Sequence, residues 1–361
     1  MVRREESPGG DAVKGGGRLR WRLAEDEGAG QDGLFDRDEL LGHHFGTGEF
    51  AGMEFLHVNS RTIINEVPPA SRLPFRYTIN VYRGCSHACT YCFARPTHEY
   101  LGLDAGEDFE RRIVVKINAV ERLRAELSAR RWAGHHVAMG TNTDPYQRCE
   151  GKFRLTQGVV RVLAEAANPF SILTKSTLIL RDLDLLSDAA RRTSVTANLS
   201  IGTLDEEVWK LTEPGTPHPR QRVEAVRRLN RAGVACGVLI GPVIPGLSDR
   251  PEQVEAVVDA CVAAGAVSVS TVALHLRPGV REHYLGWLAS ARPDLMGLYE
   301  RRYRGRSTLP RSDQEALTRL VQDRVERARG RAAHPTARPA PATERAAGSP
   351  RPDGDQLRFG L

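Results

Sequence analysis

Three cysteines fall within eight residues of one another, in the run Tyr82-Arg83-Gly84-Cys85-Ser86-His87-Ala88-Cys89-Thr90-Tyr91-Cys92-Phe93-Ala94-Arg95. The spacing Cys-x3-Cys-x2-Cys, on a loop that opens at a glycine, lets Cys85, Cys89 and Cys92 converge on one metal centre. A four-iron cluster normally takes four Cys thiolates, so three of them leave one iron open to another ligand. The same thiols could instead form a Cys3His zinc site with His87 or His98. Zinc sites typically draw on two separated ligand pairs, however, and no second pair is visible, because Cys149, Cys236 and Cys261 are scattered.

Further along the chain, polar residues gather where short apolar runs end. Gly140-Thr141-Asn142-Thr143-Asp144-Pro145-Tyr146-Gln147 reads as a turn with side-chain oxygens available as acceptors, and equally as an ordinary Asx-type turn. Lys175 closes the run Leu173-Thr174-Lys175-Ser176, and Ser200 the run that reaches Thr203; a lone Lys in such a place is commonly a solvated charge. Glu213-Pro214-Gly215-Thr216-Pro217 is followed by Arg220 and Arg222, and a planar guanidinium suits a carboxylate, either Glu213 or a ligand's. Residues 241–249, with Ile244 at their centre, are too apolar for acid–base work and serve as a rigid loop or an apolar ligand wall.

The elements that must position these groups follow from periodicity. Apolar runs at 76–82, 136–140, 170–174, 195–201, 234–240 and 267–274 predict strands. Helix-period segments at about 108–131, 157–167, 181–192, 218–232, 252–264 and 280–290 follow them. Six strand–helix units in series imply a parallel sheet, and a complete barrel needs eight. The expected fold is therefore α/β, an open (β/α)6 partial TIM barrel, with a doubly wound sheet as the alternative. In either fold, chemistry collects at the C-terminal ends of the strands, where all the motifs above fall.

The cysteine run, placed after the first strand of a partial barrel, resembles the signature of the radical S-adenosylmethionine (SAM) enzymes. The surrounding motifs, from about residue 73 to 276, resemble the branch that contains spore photoproduct lyase and an uncharacterised actinobacterial subgroup. The resemblance implies that Cys85, Cys89 and Cys92 hold a [4Fe-4S] cluster whose open iron takes the amino and carboxylate groups of SAM. Reductive cleavage would then give methionine and a 5'-deoxyadenosyl radical, which abstracts hydrogen from a substrate; the cofactors carry the chemistry and the protein positions them. It also implies that Thr143 and Asp144 receive the SAM ammonium, that Lys175 and Ser200 meet its carboxylate, that Arg222 reaches SAM or Glu213, and that Ile244 packs on the adenine. The reductant would be a flavodoxin or ferredoxin. The substrate would be a nucleic-acid lesion or modified base, with RNA, protein or a small metabolite as alternatives.

The likeness fails at two positions. The lyases carry a Tyr directly after the third Cys and a thiol in the loop after strand two, and that pair returns a hydrogen atom to the product. Here the first is Phe93, and the second falls near Thr141. Cys149, further along that loop, is the candidate substitute donor if the loop folds back, and otherwise a passive thiol. Tyr91, the aromatic of the motif, is a second candidate redox residue and otherwise packs near the adenine.

Composition sets the outer limits. The 361 residues are 40% hydrophobic, which excludes a wholly disordered chain, and residues 234–244, the longest apolar stretch, are far short of the ~18 residues of a membrane span. No apolar segment follows the charged start, so the expected location is cytoplasmic. Net charge is +6, but nearly all the basic residues are Arg, which weakens a reading of the charge as a nucleic-acid footprint. The run 299–306 interleaves two Tyr with four Arg and suits either phosphate and base contacts or a solvated helix face. Residues 1–33 are expected to be a flexible leader, 34–75 a lead-in, 76–293 the barrel, 294–329 a helical cover and 330–361 a disordered tail. That tail regains apolar character at its end, from Gln356 to Leu361, a form suited to docking and loosely similar to peptides that bind the bacterial sliding clamp. Without SAM chemistry, the remaining class is a zinc-stabilised nucleic-acid-binding protein.

Overall fold

A computed structural model describes residues 39–68, 71 and 73–332. The expected leader 1–33 and the peptide from Gln356 to Leu361 lie outside the described residues. Eleven strands follow in order: β1 (Glu39–Phe45), β2 (Glu54–Asn59), β3 (Ile64–Glu66), β4 (Tyr77–Ile79), β5 (Tyr82–Arg83), β6 (Arg112–Lys116), β7 (Val137–Met139), β8 (Phe170–Thr174), β9 (Val195–Ser200), β10 (Ala235–Val243) and β11 (Val269–Ala273). Each of the six apolar runs overlaps one strand of a parallel series, β4, β7, β8, β9, β10 and β11, hydrogen-bonded in that order, with β10 running three residues past its expected end. β3 adds an antiparallel edge beside β4, so the sheet is open rather than closed into a barrel. The architecture is thus α/β with a parallel sheet.

Helices Leu155–Glu165, Leu183–Ala190, Pro219–Arg231 and Pro251–Ala263 alternate with these strands and share one apolar core with them. Their starts are legible in the chain: Pro219 and Pro251 supply the preset φ of a first turn, and Asp205 caps Glu206–Thr212 by accepting from the Glu207 and Val208 amides. The helix expected over 108–131 is instead two helices, Glu107–Arg111 and Ala119–Ser128, separated by β6. The three consecutive β-branched residues Ile113, Val114 and Val115 are all buried, and β6 pairs parallel with β2.

That strand completes a second sheet, ordered β1-β2-β6-β5, to which the 34–75 segment contributes β1 and β2. Its short β5 runs directly into Gly84 and Cys85, so this sheet fixes the start of the cysteine loop. At the other end of the chain, helix Arg311–Ala332 packs on β11 and on helix Pro251–Ala263, where Arg324 Nε donates to Asp259 at 2.7 Å and Nη1 to Glu255 at 3.0 Å. Helices Val280–Ala291 and Met296–Arg302 build a separate apolar cluster that also contains Cys89, Tyr91 and Ile244. Tyr299 and Tyr303 tie these helices to the strand-end loops by donating to the Pro245 and Leu274 carbonyls, each at 2.9 Å. No helix among the described residues is long and apolar enough to cross a membrane.

Gly140 ends β7 with φ +92°, and a Cβ there would lie 2.0 Å from the Leu173 carbonyl oxygen of β8. Gly140→Ala should therefore cost at least about 2 kcal/mol in chemical denaturation, through left-handed strain and a backbone clash. Gly134→Ala, at φ +68° with open space around it, should cost only about 1 kcal/mol.

Candidate functional site

The loop after β5 is held at several points along its backbone. Gly84 has φ +79°, and a Cβ there would lie 2.8 Å from the Phe109 carbonyl, so the tight departure from β5 requires glycine. The Cys85 amide donates to that same carbonyl at 2.9 Å. Gln147, fully buried, accepts from the Ser86 amide at 3.0 Å and donates to the Gly84 carbonyl at 3.0 Å. The Thr143 hydroxyl donates to the Gly84 carbonyl as well, at 2.6 Å. From the opposite side the Thr90 amide donates to Thr212 O, and the Gly215 amide to His87 O, both at 3.1 Å. A Cβ on Gly215 would stand 2.3 Å from the Ser86 carbonyl, so a glycine is what allows this approach.

Cys85 and Cys89 are buried and Cys92 half-buried, all three as free thiols. Cys85 and Cys92 feel one another electrostatically, as do Cys85 and Cys89, and burial is the main cause that pushes all three thiols up from their ordinary range. Three free thiols on one short, braced loop fit a cluster that takes three protein thiolates. Each of the two histidines of the zinc alternative has one ring nitrogen engaged, while His98 Nδ1 is buried without a hydrogen-bond partner. His87 Nδ1 lies 3.4 Å from Asp144 Oδ2, and His98 Nε2 stands 3.0 Å from the Arg112 carbonyl, with burial pushing the imidazole down to about 4.

Two carboxylates, Asp144 largely buried and Glu213 buried, flank the thiols. Asp144 accepts from the Thr174 hydroxyl at 2.6 Å, from the Tyr146 amide at 2.9 Å and from the Lys175 amide at 2.7 Å. Burial pushes its carboxyl up, but His87 and the hydrogen bonds from His87, Thr174 and Lys175 outweigh that, and the net shift is downward. Glu213 accepts from the Tyr91 hydroxyl and pairs with Arg222 at 2.5 Å and Lys175 at 3.6 Å. Here too burial is opposed, by the Arg222 and Lys175 charges and then by hydrogen bonds from Tyr91 and Arg222, and the carboxyl is held at about 2. Lys175 Nζ in turn donates to Ser200 Oγ at 2.5 Å.

Of the residues singled out in the sequence, Cys85, Cys89, Cys92, Tyr91, Asp144, Lys175, Ser200 and Arg222 are thus joined in one connected neighbourhood. Ile244 packs with Cys89 and Tyr91 in the same apolar cluster. Thr143 is committed to the cysteine loop, donating to Gly84 O and accepting from Gln147. Arg222 is fully buried and spends its donors within the chain, on Pro217 O at 2.9 Å, Ser200 O at 3.0 Å, Thr216 Oγ1 and Glu213. Cys149 lies elsewhere, at 0% exposure in the main core, with burial pushing its thiol well up. Sequence reasoning offered Arg222 as a partner of Glu213 but missed Tyr91 and Lys175 as its other partners, and Gln147 as the loop's brace. The Gly-Thr-Pro run after Glu213 was the available signal for the first, and a single Gln offers none for the second.

Because the folded Glu213 carboxyl sits near 2 rather than 4.5, its stabilisation is present above about pH 4.5 and fades as pH falls towards about 2. Glu213→Gln should cost about 3–5 kcal/mol at neutral pH by leaving buried cations underpaired. In denaturation at several pH values, the gap between wild type and variant should narrow over that acid window.

A family model described as the radical SAM superfamily matches residues 79–261. An uncharacterized protein of Mycobacterium tuberculosis is 44% identical over 299 residues, covering 83% of this chain and 87% of that protein. The protein named Radical SAM Nalpha-GlyT isomerase, of Pseudomonas phage M6, is 25% identical over 166 residues, or 45% of this chain and 32% of that protein. Among solved structures, spore photoproduct lyase complexed with dinucleoside spore photoproduct has a TM-score of 0.56 at 16% identity, covering 76% of this chain and 79% of that one. A mutant of that lyase with bound AdoMet and dinucleoside spore photoproduct scores 0.52 at 16% identity, covering 73% and 76%. At such identity the likeness to the lyase is one of fold. With half the chain matched by the family model and a 44% identical relative over most of its length, the chain belongs to the radical SAM superfamily, whose members bind a [4Fe-4S] cluster and SAM and draw on an electron donor.

Proposed function

We propose that Cys85, Cys89 and Cys92 hold the [4Fe-4S] cluster, and that Asp144, Lys175 and Ser200 hold the amino-acid end of SAM beside it. When bound, this pair of cofactors supplies a one-electron cleavage that yields methionine and a 5'-deoxyadenosyl radical, which takes hydrogen from the substrate. The carrying observation is the 2.7 Å bond from the Lys175 amide to the Asp144 carboxylate. It ties Asp144 to the backbone of the residue whose Nζ lies on Ser200 and near Glu213, so that one anion and one cation are anchored at the same strand end, the charge pattern of an α-amino acid headgroup reversed. Asp144 takes the ligand's ammonium in place of its long 3.4 Å approach to His87, and Lys175 with Ser200 takes the carboxylate. Thr143 serves the cysteine loop, and Arg222 acts on SAM through Glu213 and the Ser200 carbonyl rather than by touching it. Ile244 lines the apolar side, where the adenine rests. Tyr91 is held by Glu213, and Cys149 is a structural thiol.

The proposed substrate is a nucleobase within a nucleic acid, and the proposed reductant a flavodoxin or ferredoxin. Phe93 supports the first: it follows Cys92 directly, is 48% exposed, and has its carbonyl fixed by Arg277 Nη2 at 2.6 Å, so an aromatic face and a cation stand together at the cysteine loop. Return of hydrogen by the lyase pair is not part of this reading, because Phe93 has no hydroxyl.

After anaerobic reconstitution and dithionite reduction with SAM, wild type should release 5'-deoxyadenosine and Cys89→Ala should lose at least about 99% of that yield. Addition of single-stranded DNA, duplex DNA, RNA or a peptide pool should raise the yield only in a nucleic-acid arm. Stimulation by peptide alone would overturn the substrate proposal, and zinc without iron in the reconstituted protein would overturn the cofactor proposal.

A further inference from the structure

Lys175 is already paired before any ligand arrives. Its Nζ donates to Ser200 Oγ at 2.5 Å and to the Gly241 carbonyl at 3.3 Å, lies 3.6 Å from Glu213 Oε1, and sits 5.6 Å from the centroid of the Tyr91 ring. Glu213 is only 4% exposed, so its carboxylate cannot turn away to water. It also keeps two partners that do not move with Lys175: Arg222, itself fully buried, at 2.5 Å on Oε2, and the Tyr91 hydroxyl on Oε1. A ligand carboxylate that reaches Lys175 therefore meets a carboxylate already in place. Glu213 remains paired when Lys175 leaves it, which makes the exchange feasible without stranding a buried charge.

We propose that Glu213 is a positioning residue that competes with the carboxylate of SAM for Lys175, and so sets how strongly the site favours a carboxylate-bearing ligand. The inference rests on the reading of Lys175 as the carboxylate acceptor. With SAM, Lys175 exchanges Glu213 for the ligand, while Arg222 and Tyr91 stay on Glu213 and hold the wall behind Cys89. With a ligand that lacks the carboxylate, Lys175 stays on Glu213 and nothing is exchanged.

The test compares SAM with decarboxylated SAM by anaerobic titration calorimetry on the reconstituted, unreduced protein, in which neither ligand turns over. The readout is the ratio of the two dissociation constants, the carboxylate preference. Glu213→Gln removes the competing charge and should raise that preference by about tenfold or more, the scale expected for unit charges a few ångströms apart near a protein surface. Glu213→Asp keeps the charge but is one methylene shorter, and should raise it by a smaller factor. Lys175→Met should lower it to what the cluster iron alone contributes. A preference unchanged or lowered in Glu213→Gln, with iron content intact, overturns the proposal while leaving the role of Lys175 standing. A preference as large in Lys175→Met as in wild type overturns the reading of Lys175 and the proposal together. Should Glu213→Gln fail to keep its cluster, a wild-type preference in Glu213→Asp overturns the proposal by itself.

Discussion

A carboxylate taken out of water must be matched by charge or hydrogen bonds, at a cost of several kcal/mol if it is not. Glu213 is matched by Arg222, Lys175 and the Tyr91 hydroxyl, and each of these partners fixes a different piece of the site. Arg222 binds the Ser200 carbonyl at the end of β9 together with Thr216 and Pro217, Lys175 belongs to the end of β8, and Tyr91 belongs to the cysteine loop. One buried acid thereby sets the spacing between two strand ends and a loop that no secondary structure holds. Asp144 does the same on the other flank, joining the loop after β7 to Thr174, to the Lys175 backbone and to His87.

The open parallel sheet makes this possible because its strand ends all face the same side. Side chains from four successive connections meet over the cysteine loop without any single loop having to be long. The second sheet supplies what the first lacks, a rigid entry into that loop: β5 pairs with β6, and the chain turns at Gly84 under the Phe109 carbonyl. The cluster of Tyr284, Tyr299 and Tyr303 closes the far side by anchoring the C-terminal helices to the loops that follow β10 and β11.

The parallel strands were legible in the sequence because each is a short apolar run bounded by polar turn residues, a signal that is local. The same local reading failed at β6, since Arg112–Lys116 lies between two helical segments and only its pairing with β2 makes it a strand. Nothing near residues 34–75 announced that they supply half of a second sheet, because that sheet depends on β5 and β6 far along the chain. In the site, the cysteines carry their own motif, and Lys175, Ser200 and Asp144 stand at strand ends where functional groups are expected. Beyond the pairing of Glu213 with Arg222, the network around Glu213 was not legible, since Tyr91 and Glu213 are 122 residues apart and only folding brings them together. Cys149 shows the reverse error: a reactive residue type near the right place in sequence, carried into the core by the turn from Gln147 to Glu150.

The central claim is that the thiols of one loop and the charges of the neighbouring strand ends form one site for a cluster and an amino-acid headgroup. An anaerobic crystal structure of the reconstituted protein with SAM, with an anomalous map collected at the iron edge, tests it directly. The expected result is iron density bridging Cys85, Cys89 and Cys92, with the ligand's carboxylate on Lys175 and Ser200 and its ammonium on Asp144. Iron bound away from those thiols, or SAM held with its amino-acid end away from Lys175 and Asp144, would contradict it.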